Sequence, residues 1–175
     1  MSSSVARRNI RKIRLFVRDM VRRFVVSSRQ TRVGIVQYSL RAQRIIKFTQ
    51  VRSRQSIYRI LGRIRRLGGR RYTGRALTYT KRYLFYGKPK CARKRVLIVI
   101  ANGVSTDRVW KPAKSLNSVG VEIFAVLTRR QAIGQMRRIT TTRHHLYVTS
   151  YSNLVGITDR LKNKICVTPK GILCL

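Results

Sequence analysis

The sequence predicts an α/β fold, a doubly wound and mainly parallel sheet flanked by helices, on three observations. Val96-Leu97-Ile98-Val99-Ile100 is apolar on both faces, as a central parallel strand must be. Segments with strand character alternate with segments of helical periodicity along the chain. The length of 175 residues and the hydrophobic fraction of 43% suit one domain with a sizeable core.

The elements follow in order. Over residues 7–24, Ile10, Ile13, Phe16, Val17, Met20, Val21 and Phe24 recur at helical spacing, while Arg11, Arg14, Arg18 and Arg22 fall on other faces. Residues 31–39 read as a strand, with a second over 43–48 paired to it across a Leu40–Arg41 turn. Ser53 is a candidate N-cap for a helix carrying Ile57, Ile60, Leu61 and Ile64, and Gly68-Gly69 is its expected stop. A short helix over 74–85 buries Ala76, Leu77, Thr80 and Leu84. The central strand ends at Asn102-Gly103, and residues 109–117 form a helix. A strand over 121–127, a helix over 132–139, a short strand over 145–148 and a last helix capped by Ser152 complete the series.

Charge is the feature that narrows function. The chain carries 41 Lys plus Arg against 4 Asp plus Glu, a formal net charge of +37. Most cations therefore have no carboxylate partner within the molecule, and the surface attracts polyanions. Sulfated glycans, nucleic acid and acidic protein are the candidate classes. Nucleic acid is favoured by charge alone, because Arg70-Arg71-Tyr72 and Lys81-Arg82-Tyr83 interleave basic and aromatic residues without any recognition motif. Tyr83 is expected on the packing face of its helix.

Catalysis has little to work with. Asp19, Asp107, Glu122 and Asp159 stand apart on different elements, and the sequence holds neither a Gly-x-Ser-x-Gly elbow nor a phosphate loop. Asp19 reads as a helix-surface partner of Arg22 and Arg23, and His144-His145 as a structural pair entering an edge strand. Cys91, Cys166 and Cys174 include no Cys-x-x-Cys pair, which argues against structural zinc. One disulfide and one remaining thiol would suit an extracellular chain; Cys91 with Cys166 is one possible pairing, which the sequence leaves open.

Several strings, in order, carry a family resemblance: Ser2-Ser3-Ser4-Val5 before the first helix, and then Thr31-Arg32-Val33-Gly34-Ile35-Val36-Gln37-Tyr38-Ser39. After these come Gly68-Gly69-x-x-Tyr72-Thr73-Gly74-x-Ala76-Leu77, Val96-Leu97-Ile98-Val99-Ile100-Ala101-Asn102-Gly103-x-Ser105-x-Asp107 and Val119-Gly120-Val121-Glu122-Ile123-Phe124-Ala125-Val126. Together they resemble the von Willebrand factor A domain of the matrix type, as in collagen VI-like chains and matrilins. The resemblance runs to about Cys166, giving a domain over residues 1–166 and a tail over 167–175.

The resemblance implies a metal-ion-dependent adhesion site, in which an Asp-x-Ser-x-Ser loop, a threonine and a second aspartate hold Mg²⁺. Ser2 and Ser4 match the serines, but the aspartate position two residues before Ser2 lies ahead of Met1. The metal threonine aligns with Arg71, Thr73 matches a threonine two residues later, and Asn102 stands where the second aspartate should be. A hard divalent cation wants anionic oxygen, so Mg²⁺ binding is expected to be weak or lost. The alternative is a residual site of Ser2, Ser4, Thr73, Asn102 and Asp107.

The family also places an apolar strand just before that loop, in the middle of the sheet. Here the first central strand is apparently lacking, which would leave its neighbours with unpaired backbone groups. Met1 runs directly into serines without a leader-like apolar stretch, so the reading is a leader already removed or an internal piece of a longer chain. The implied function is non-enzymatic: a matrix module, secreted as part of a longer chain, that contacts collagens, other matrix proteins or sulfated glycosaminoglycans. The arginines expected to grip polyanions are Arg59, Arg63, Arg65, Arg66, Arg70 and Arg71, dense in sequence and able to hold sulfate bidentately.

Overall fold

The periodicity of the first segment is realised as helix α1 (Arg7–Arg22), which buries Phe16, Met20 and Val21 along one stripe. The structure, a computed structural model, describes residues 7–50, 53–65, 67–86 and 94–166. Strand β1 (Ile35–Tyr38) folds back on β2 (Ala42–Ile46) as an antiparallel hairpin, closed where the Ser39 N–H donates to the Arg41 carbonyl at 3.1 Å. Helix α2 (Arg54–Arg63) opens at Ser53, whose hydroxyl accepts the Ser56 N–H at 3.3 Å, the expected N-cap.

Two helix ends differ from expectation. Helix α2 stops at Arg63, before the Gly68-Gly69 pair. Beyond it the carbonyls are taken by other elements: the Arg14 guanidinium donates to Ile64 and the Gln37 side-chain amide to Arg65. Those tertiary bonds draw the chain out into extended backbone at Ile64. Ser152 does not cap the last helix either, because its hydroxyl pairs with Ser150 Oγ at 2.7 Å. A 3₁₀ turn at Val155–Ile157 intervenes, and helix α6 (Thr158–Cys166) starts only after it.

Helix α3 (Thr73–Tyr83) leads through a connection to strand β3 (Arg95–Ala101), and helix α4 (Trp110–Asn117) returns the chain to β4 (Val121–Leu127). A 3₁₀ turn at Arg130–Ala132 and helix α5 (Ile133–Arg137) precede β5 (Leu146–Val148). Strands β3, β4 and β5 form a parallel sheet in that order, with Leu97 opposite Ile123 and Ala125 opposite Leu146.

The strands fall into two sheets rather than one, β1–β2 and β3–β4–β5. Strands β1 and β3 belong to different sheets and share no ladder. Their carboxyl ends meet at one loop, where the Tyr72 N–H donates to the Ser39 carbonyl at 3.1 Å and Arg71 Nε to Asn102 Oδ1 at 2.9 Å. Among the described residues no strand lies between them.

Helices hold the two halves together. Phe16 and Met20 of α1 pack with Phe124, Val126, Leu154 and Leu161, while Val21 of the same helix packs with Ile46, Ile57 and Leu61. On the opposite face, Phe48 beyond β2 meets Phe85 edge-on, ring centres 5.4 Å apart, in a cluster that continues into Leu97 and Val99.

Candidate functional site

In a parallel sheet with helices on both faces, ligands gather at the carboxyl ends of the strands, where neighbouring connections leave in opposite directions. Here that rim is built by the segment before α3 and the loop after β3. Ser105, almost fully buried, joins them: its Oγ accepts the Thr73 N–H at 2.8 Å and donates to Asp107 Oδ1 at 2.6 Å. The Thr106 N–H also donates to the Arg71 carbonyl at 2.8 Å.

Asp107 then caps α3 from outside the helix. Oδ1 accepts the Gly74 N–H at 2.9 Å and Oδ2 the Arg75 N–H at 2.7 Å, so both oxygens serve donors of the first turn that the helix cannot satisfy itself. A glycine at 74 permits the approach, since a Cβ there would lie 2.1 Å from the Arg108 carbonyl.

Thr73, Asn102 and Asp107, singled out from sequence, are engaged within this network. Thr73 is buried and its hydroxyl lies 3.4 Å from the Tyr38 phenol oxygen. Asn102 accepts from Arg71, whose guanidinium lies against Gly103: a Cβ on that glycine would come within 3.2 Å of Arg71 Cζ. Asp107 is the helix cap. Ser2 and Ser4 lie outside the described residues. The described part of the rim therefore presents a guanidinium beside an amide oxygen, with its carboxylate, Asp107, committed to the cap of α3.

Each of the other three acidic residues is also tied to a structural joint. Asp19 holds Arg22 at 2.8 Å and Arg23 at 2.9 Å, as its spacing predicts, and accepts the Thr158 hydroxyl at 2.6 Å. Arg23 reaches on to Asp159 at 2.7 Å, which clamps α1 to α6. Glu122 lies between Lys94 at 2.7 Å and His145 Nε2 at 3.2 Å. His145 is buried and stacks on Phe124 with ring centres 4.0 Å apart, in keeping with a structural histidine. Burial lowers its pKa; Glu122 opposes that shift, and Lys164 and Lys94 add to it. Among the described residues no group of three His, Cys, Asp or Glu side chains could hold a metal ion.

The cationic exterior has more than one centre. Arg59, Arg63, Arg65 and Arg70 are exposed on and after α2, whereas Arg71 leaves that group for the strand ends; Arg66 lies outside the described residues. A cleft of about 720 Å³ beside β5 and α6 is lined by Arg143, His144, Tyr147, Arg160 and Lys164. It joins two elements of different kind, strand β5 and helix α6, whose packing periodicity alone does not give, although Arg160 and Lys164 at i and i+4 mark one helix face. Tyr83, expected to pack, is 38% exposed, with the Arg44 and Arg82 guanidinium carbons 5.6 and 5.5 Å from its ring centre. Cys166 is a half-buried free thiol; Cys91 and Cys174 lie outside the described residues.

Comparison with known proteins places these features in a lineage. The family profile of the von Willebrand factor type A domain matches residues 1–160. Mouse vitrin is 30% identical over 94% of this chain, which spans 26% of vitrin. The human collagen alpha-5(VI) chain is 25% identical over 94% of this chain and 6% of its own length, and mouse cochlin 25% identical over 94% and 30%. Proximal thread matrix protein 1 from the mussel byssus superposes with a TM-score of 0.85 at 20% identity, covering 94% of this chain and 44% of that one. Another structure of that mussel protein has a zinc-occupied MIDAS motif and superposes with a TM-score of 0.81 at 18% identity, over 87% and 42% of the two chains. Vitrin, collagen VI and cochlin are proteins of the extracellular matrix, in agreement with the resemblance read from sequence. No described helix is long and apolar enough to cross a membrane.

Proposed function

Because this chain belongs to the von Willebrand factor type A domain family, we propose that residues 1–166 form a non-enzymatic interaction module of the extracellular matrix. It recognises its partners through a basic exterior and without a divalent cation. Those partners are matrix proteins such as collagens and sulfated glycosaminoglycans. The chain spans only 26% of vitrin, so partners of the larger protein are part of the proposal.

The observation that carries the reading is the use of the four carboxylates. All are engaged in internal hydrogen bonds or ion pairs, while 41 cationic side chains set the charge of the surface. The described residues at the strand ends are a poor fit to Mg²⁺. They offer a guanidinium beside the Asn102 oxygen, and a divalent ion brought within about 4 Å of that guanidinium would meet repulsion on the order of 8 kcal/mol, twice the unit-charge value near a protein surface. The same shortage of unengaged acids argues against general acid–base catalysis.

Arg59, Arg63, Arg65, Arg66 and Arg70 are the proposed sulfate contacts, and Arg71 belongs to the strand-end rim instead. Elution from heparin resin, compared with retention on duplex DNA at matched salt, tests the assignment. Charge reversal of Arg59, Arg63 and Arg65 lowers the salt needed to elute from heparin, and unchanged elution would clear that patch. Stronger retention on DNA at physiological salt would favour the nucleic-acid reading, for which polyanion charge is the only support.

A further inference from the structure

The cleft beside β5 and α6 differs from the arginines of α2 in chemistry as well as in place. Its walls are cationic: Arg143 stands just before β5, and Arg160 and Lys164 share one face of α6, all three exposed. Its floor is apolar, made by Leu146, Tyr147 and Val148 of the strand and by the buried Ile157 just before the helix. Leu146 packs into the cluster on one face of the sheet and Tyr147 into that on the other, yet both line the cleft. It therefore follows the outer edge of β5, a strand whose ladder among the described residues is with β4 alone.

The cations of this cleft have no acid of their own. Among the described residues Arg143, Arg160 and Lys164 form no ion pair, and the lining holds no carboxylate. Asp159, next to Arg160 in sequence, is committed to Arg23 at 2.7 Å, and Glu122 on the neighbouring strand to Lys94 and His145. Burial raises the pKa of Tyr147 and the charge of Arg160 opposes that shift, which sets a guanidinium beside the aromatic part of the floor. An acid arriving from outside relieves the repulsion among the three cations.

The mixture of walls and floor decides between ligand classes. Sulfated sugars supply anions, but their rings carry hydroxyls that lose hydrogen bonds over Leu146, Val148 and Ile157. An extended acidic peptide suits all three features. Its carboxylates meet the walls, an aromatic side chain covers the floor, and its main chain can pair with the edge of β5.

We propose that the cleft between β5 and α6 receives an extended acidic segment of a partner protein, with an aromatic side chain on the floor and carboxylates against Arg143, Arg160 and Lys164. The net charge admits acidic protein as a partner class, and this cleft gives that class a place apart from α2.

The end-blocked peptide Asp-Asp-Tyr-Asp-Asp, titrated into the whole isotope-labelled chain, tests this. Amide resonances of residues 143–148 and 157–164 shift together and saturate. R160E with K164E weakens binding on the order of tenfold, while R59E with R63E, the same charge change on α2, weakens it less than about twofold. All four side chains are exposed, and the melting temperature of each variant checks that the fold is intact. Replacing the peptide's Tyr with Ser keeps its charge and weakens binding on the order of tenfold, because the floor is left uncovered. Equal losses from the two double variants would overturn the proposal by reducing it to general charge. Undiminished binding of the Ser peptide would overturn it too, as would a sulfated disaccharide that shifts the same amides at lower concentration, which makes the cleft a glycan site. The α2 assignment is read from heparin elution instead, so either proposal can fail while the other stands.

Discussion

Strands β4 and β1 are both rich in branched apolar residues, yet one is the most buried strand in the molecule and the other is half-open along its whole length. The difference lies in their neighbours. β4 has a parallel partner on each side and a helix layer on each face, so Phe124, Ile123, Ala125, Val126 and Leu127 lose all contact with water. Among the described residues β1 pairs with β2 alone. Apolar sequence sets the capacity for burial, and topology decides how much of it is used.

The largest effect expected from that contrast is at the centre of β4. F124A removes a fully buried ring from between α1, α6 and His145 and costs about 4 kcal/mol in urea unfolding. V36A in β1 removes half-buried methyl groups and costs about 1 kcal/mol. Equal losses at the two positions would break the comparison.

Next in size is the seam between the halves. G74A drives a Cβ into the Arg108 carbonyl and costs about 3 kcal/mol, whereas G62A, with open space around its Cβ in α2, leaves stability the same or higher by up to about 1 kcal/mol. D107N leaves one acceptor where the cap needs two and costs about 1–2 kcal/mol. All three are read from denaturant midpoints at unchanged slope.

The smallest effect is the pH dependence that His145 contributes. Burial lowers its folded pKa below the ordinary 6.5, so the unfolded chain takes up the proton first. Its contribution to stability is complete above pH 6.5 and is lost as pH falls through the lowered folded value. Urea midpoints therefore decline between about pH 7.5 and about pH 5, and H145Q flattens that part of the curve. An unchanged decline in H145Q would assign the effect elsewhere.

Much of this was legible in the residues. β4 has the boundaries its pattern predicts, because its apolar residues, broken only by Glu122, run from Val121 to Leu127 between Gly120 and Thr128. The Asp19–Arg22–Arg23 cluster follows from helical spacing alone. What escaped depended on contacts between distant residues. The end of α2 is decided by Arg14 and Gln37, the start of α6 by a 3₁₀ turn that already buries Leu154 and Ile157, and the cap of α3 by Asp107, 33 positions from Gly74. Arg71 reads two ways in sequence, by density with the arginines after α2 and by alignment with the metal threonine, and its pairing with Asn102 decides for the strand ends.

Recognition without a divalent cation is tested by titrating the chain with Mn²⁺ and Mg²⁺ in a calorimeter while following its melting temperature. Neither ion gives saturable heat or raises the melting temperature, and matrix-ligand binding is the same in chelator as in excess metal. Saturable, tight uptake of either ion that raises the melting temperature and is required for ligand binding would contradict it.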